Sequence, residues 1–237
     1  MRIPTSRSAR WCLRFTAVIL AMGAGVSTAL AAPITTPAEL NPGDQYRLVF
    51  VTTTTRDATS TDITDYNAFV TGVANTQAAL AALGTTWTAI ASTSAEAARD
   101  NTGTNPLATT GVPIYRLDGV SRVVDDNLDL WNGDLDLAIS LAEDGTTAIF
   151  TEVWTGTDAA GNAVVGAELG SASPIVGDPA QSDANWINLA ALPSFTPFHF
   201  YALSDVLTVA PVPEPAILPL LATGLAALGF ARRKRTR

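Results

Sequence analysis

The sequence predicts a single α+β domain with long loops, set between two apolar segments that do not belong to it. Three observations carry this reading. One early stretch repeats its apolar residues at helical spacing, whereas the other periodic stretches are short and alternate with period two. Long runs of Asn, Thr, Gly, Asp and Pro separate them. Each end of the chain joins an apolar run to a basic cluster, and no internal repeat is visible. One helix among scattered strands and irregular loops suits the α+β class.

At the N-terminus, Arg2, Arg7, Arg10 and Arg14 precede an apolar run over 15–26, and Ala29-Leu30-Ala31 supplies small residues for a cleavage site. Residues 1–31 therefore read as a secretory signal peptide. The cut falls after Ala31, because cutting after Ala32 would put Pro33 at the new N-terminus. An uncleaved anchor is the alternative, and the small residues after the run count against it. Cys12, the only cysteine, lies in this segment without a lipoprotein context, so the exported body over 32–211 can use neither disulfides nor thiol chemistry.

Within the body, Gln45 to Thr53 alternates as a strand, with Tyr46, Leu48 and Phe50 on one face and Arg47, Val49 and Val51 on the other. Thr52 to Thr61 is a polar loop. Asp62 then caps a helix whose apolar positions run from Ile63 through Tyr66, Phe69, Val70, Val73 and Leu80 to Leu83, with Gly84 as its stop. Trp87 to Ser92 reads as a strand, and Ser94 to Arg99 as a short helix capped by Ser94. Ile114 to Leu117 is a strand ended by the Asp118-Gly119 turn, and Arg122 to Val124 pairs back on it. Ala148 to Thr155 is a strand, and Asp158 to Asp183 an ordered surface loop. Trp186-Ile187 marks a buried return, and Phe198 to Val209 is the last strand.

Charge separates the body from its ends. Four basic residues belong to the signal region and five to the C-terminal tail, leaving Arg47, Arg56, Arg99, Arg116 and Arg122 between them. Those five face all 22 acidic residues, so the stretch between the basic ends carries −17, with Glu214 included. Such a field repels nucleic acid and argues against binding it.

Candidate chemistry is sparse. His199 is the only histidine, and strand alternation puts it and Ser204 on opposite faces, away from a nucleophile–base arrangement. No Gly-x-Ser-x-Gly elbow and no phosphate-cradling glycine loop occurs. One histidine without body cysteines cannot complete a zinc site of the usual ligands. Calcium is the one cofactor left open. Asn132, Asp134 and Asp136 fit the first, third and fifth places of an EF-hand-like frame, with Glu143 at the twelfth. Leu137 stands where that frame needs glycine, and the competing reading makes Leu135, Leu137, Ile139 and Leu141 alternate as a strand. Trp87, Trp131, Trp154 and Trp186 are the candidates for stacking on sugars, against a core-packing reading that their apolar contexts favour.

The last 26 residues, 212–237, read as a label. Val212-Pro213-Glu214-Pro215 ends regular structure, an apolar helix over 216–231 enters the bilayer, and Arg232, Arg233, Lys234 and Arg235 hold its far end on the cytoplasmic side. A permanent tail anchor is the alternative. These three parts resemble the PEP-CTERM sorting signal, which exported bacterial proteins present to a membrane-embedded exosortase for removal. The resemblance implies an exported protein, anchored in the inner membrane for a time and then placed at the cell surface or in the extracellular matrix.

The body has a resemblance of its own. Trp87-Thr88-Ala89-Ile90-Ala91-Ser92, Ile114-Tyr115-Arg116-Leu117-Asp118-Gly119, Val153-Trp154-Thr155-Gly156-Thr157, Trp186 and Tyr201-Ala202-Leu203-Ser204 follow one another in an order that is similar to C-type-lectin-like, endostatin-like exported domains. Sorting systems of the PEP-CTERM type accompany exopolysaccharide production, and with this lectin-like body the chain reads as a non-enzymatic module for exopolysaccharide or another envelope glycan. Related domains often carry a cysteine pair near the late Trp and final strand, and this chain has neither. A secreted hydrolase using paired carboxylates is the competing class, and a structural matrix protein without a specific ligand is the third.

Overall fold

The computed structural model describes residues 33–149 and 152–211. In chain order these form β1 (Gln45–Val51), α1 (Ile63–Ala74), α2 (Ala78–Ala81), β2 (Trp87–Ala89), α3 (Ala98–Asn101), β3 (Ile114–Arg116), β4 (Arg122–Val124), α4 (Asn127–Leu130), β5 (Val153–Trp154), β6 (Ile175–Gly177), β7 (Ala190–Ala191), β8 (His199–Ser204) and β9 (Leu207–Thr208). A short 3₁₀ turn, Ala184–Trp186, precedes β7. This is the expected mixture of one sheet and few helices.

The sheet runs β4-β3-β1-β8-β5-β6-β7, with β2 also paired to β8 and β9 to β1. Its centre is the antiparallel pair β1–β8, which brings the first strand against the penultimate one. β3 joins β1 in parallel and β5 joins β8 in parallel. The alternation of β1 explains why it sits there. Tyr46, Leu48 and Phe50 enter one core with Trp87, Tyr115, Phe200 and the buried face of α1. Val49 and Val51 enter a second core on the opposite face with Ile114, Trp131, Trp186, Tyr201 and Leu203. A strand apolar on both faces is stable only inside such a two-sided sandwich of packing. Aromatic pairs join the layers: Tyr66 stacks on Phe200 at 5.2 Å, and Trp186 meets both Tyr201 at 5.6 Å and Trp131 at 6.1 Å.

Several expected elements change on folding. The long helix breaks at Asn75-Thr76-Gln77, where the Thr76 hydroxyl donates to the Val73 carbonyl and competes with the next helical turn. The helix expected at Ser94 begins at Ala98 instead, because the Ser92 hydroxyl accepts from the Ala98 amide. The alternation of Leu135, Leu137, Ile139 and Leu141 makes no strand. The Leu135 amide donates to Ser182 and the Asp136 amide to Val123, so the backbone serves two separate segments, and only Leu135 and Ile139 turn inward. Of the strand over 148–155, Val153–Trp154 is paired, and residues 150 and 151 lie outside the described ones. The last strand divides at Asp205-Val206 into β8 and β9. The segment 158–183 is more than a surface loop, since it delivers the buried strand β6 to the sheet. The β3–β4 hairpin and the buried Trp186-Ile187 return form as expected.

Among the described residues no helix is long and apolar enough to cross a membrane. Both apolar runs, 15–26 and 216–231, lie outside the described residues.

Candidate functional site

The acidic frame does not converge. Glu143 is 3% exposed, and both its carboxylate oxygens are committed to Thr53, one accepting from the amide at 2.8 Å and the other from the hydroxyl. Asn132 donates to Asp129 and accepts from the Asp134 amide, while Asp136 faces Arg122 at 3.7 Å. Asn132, Asp134 and Asp136 thus lie in a surface turn with local partners. No group of three or more His, Cys, Asp or Glu side chains that could hold a metal ion occurs among the described residues.

His199 opens β8 at the end of the sheet where β1 finishes. Its Nδ1–H donates to the Thr52 carbonyl at 2.7 Å, which fixes the neutral tautomer. Burial lowers its pKa, and the Thr52 carbonyl with the charges of Glu143 and Glu152 works in the opposite direction. Ser204, at the other end of β8, is buried, accepts from the Leu48 amide at 2.9 Å and donates to the Asp205 carbonyl.

The four tryptophans of the body are buried in the two cores, so none presents a face for a sugar. Trp131, beside Asn132-Gly133, donates its indole N–H to Thr104. Among the described residues the exposed aromatic is Phe195, at 76%, in a turn between Pro193 and Pro197. That turn is held from beneath, where the Trp154 indole donates to the Thr196 carbonyl at 3.1 Å. Two prolines around an isolated Phe were the sequence signal for it.

Arg47 lies on the inner face of β1, 9% exposed, beside Val49. Its Nη1 donates to the Thr102 carbonyl at 2.6 Å. Burial lowers its pKa, and Asp205 raises it from beyond ion-pair distance. Arg56, Arg116 and Arg122 each pair with a carboxylate. The alternation of β1 placed Arg47 on the correct face, but nothing in its spacing indicated that the face is buried.

The fold closes before the tail begins. β9 pairs with the start of β1, Thr208 opposite Gln45 and Leu207 opposite Tyr46. One step further, the Val209 amide donates to Asp44 and the Gly43 amide to Val209. The chain leaves this clamp at Pro211, the last described residue, at the end of the sheet opposite His199. Residues 211–235 match the PEP-CTERM protein-sorting motif. The match spans Val212, Pro213, Glu214 and Pro215, the apolar run and Arg232, Arg233, Lys234 and Arg235, all of which lie outside the described residues, as do Ala29 and Ala31 of the signal cleavage site. The motif supports an exported protein sorted through its C-terminus by an exosortase. It does not extend over the body, and no curated protein matches the chain.

Proposed function

We propose that the chain is an exported surface or matrix protein, held in the inner membrane by its tail until an exosortase removes it, whose body is a non-enzymatic, lectin-like module for an envelope glycan. The observation that carries the reading is the sorting motif at residues 211–235, which follows a body whose last described strand, β9, pairs back on β1. A cut beyond Pro211 removes none of the described strands. The lectin-like part is supported by element order: β2 follows the helices, and Val153–Trp154 opens a long excursion that returns at Trp186 and ends in the aromatic strand β8. First and last strands meet without a disulfide, and the two aromatic cores hold the excursion in its place.

The test is a glycan array probed with the processed protein collected from exporting cells, with and without calcium. Selective binding to envelope polysaccharide supports the module. Binding to no glycan under either condition removes the lectin reading and leaves the sorting reading intact.

A further inference from the structure

We propose that Arg47 is an anion subsite, taking the carboxylate of an acidic sugar through an opening at Gly103. Four observations carry this. Arg47 is buried, yet no carboxylate among the described residues lies within ion-pair distance of it, Asp205 acting only from further off. A buried charge with no direct ion pair is costly to keep, and Asp205 compensates it only from a distance. Its orientation is fixed at one nitrogen by the Thr102 carbonyl. The nitrogens not so engaged are absent from the buried, unsatisfied polar atoms, which include Nε of Arg99 and of Arg116, so they keep contact with solvent.

Gly103 marks the opening. A Cβ there would stand 3.6 Å from Nη2 of Arg47 and meet nothing else, so the residue is exposed directly over the free edge of the guanidinium. The loop around it, Asn101 to Pro113, has no charged side chain to compete for an incoming anion. A planar fork with one nitrogen anchored and the neighbouring one open suits a planar carboxylate. The choice of a sugar acid rests on the glycan reading above, whereas the subsite itself rests on the geometry of Arg47.

Calorimetry on the exported protein tests it, with a uronic-acid oligosaccharide, its neutral analogue of equal length and a sulfated analogue as probes. The uronate should bind saturably, and at least about tenfold more tightly than the neutral analogue. Arg47→Gln should remove that preference. Gly103→Asp supplies the missing carboxylate within the chain, in a left-handed conformation at φ +62 that Asp tolerates. It should abolish uronate binding while melting no lower than Gly103→Asn, which separates a blocked site from a damaged fold. Equal binding of uronate and neutral sugar, or Gly103→Asp binding like the parent, overturns the subsite and spares the glycan reading. A preference for the sulfated probe over the uronate overturns the carboxylate assignment. Failure of every probe overturns the subsite, and the glycan array alone decides the lectin reading.

Discussion

His199 connects burial to pH. Its folded pKa is lowered by burial from 6.5, so between the two values the unfolded chain binds more protons than the folded one. Stability must therefore fall as pH drops from 6.5 toward the folded value, and level off below it. Melting curves recorded down through this window should slope for the parent and lose that part of the slope in His199→Gln, while carboxylate effects persist in both. Equal slopes would show that His199 is as solvated as a free imidazole. The sequence supplied the isolation of this residue and its face of the strand. It could not supply the Thr52 carbonyl, which reaches His199 across 147 positions. Arg47 shows the same boundary: its face was legible, its burial was not, since burial depends on the 98–104 segment folding over β1.

At the scale of elements, the strands with strong alternation or a turn signal were legible: β1, β2 and the β3–β4 hairpin. Strands without such a signal of their own were not. β6 lies in a stretch rich in Gly, Ala and Ser, and it becomes a strand because Trp154 pairs with Val176 and Ala190 pairs back on it. The end of β6 also explains why Gly177 has no side chain. A Cβ there would fall 2.0 Å from the Trp186 carbonyl oxygen, the same atom that accepts from the Tyr201 hydroxyl at 2.8 Å. Gly177→Ala must push the Trp186 return away from the sheet and break that hydrogen bond, at a cost of about 2–3 kcal/mol or more. Denaturant unfolding measures this directly, and a variant within a few tenths of a kcal/mol of the parent would mean that the return is not packed as described. The acidic run failed as a strand for a related reason: Leu135 and Asp136 give their amides to segments that the sequence does not mark as neighbours.

At the scale of the whole molecule, the described body closes on itself, and the residues that match the sorting motif follow it in sequence. Composition made this division legible: nine of 14 basic residues lie in the two ends, and the acidic residues lie between them. The sheet agrees, because β9 returns to β1 and the chain departs at Pro211 beyond a clamp of two backbone hydrogen bonds. The proposed sorting rests on that separation, since a cut beyond Pro211 removes none of the described strands. The direct measurement is intact mass spectrometry of the protein recovered from the cell surface or medium, made with an epitope appended after Arg237. The account predicts a species that begins at Ala32 and lacks the epitope together with the apolar run over 216–231. A surface-exposed protein that retains its sequence through Arg237 would contradict it.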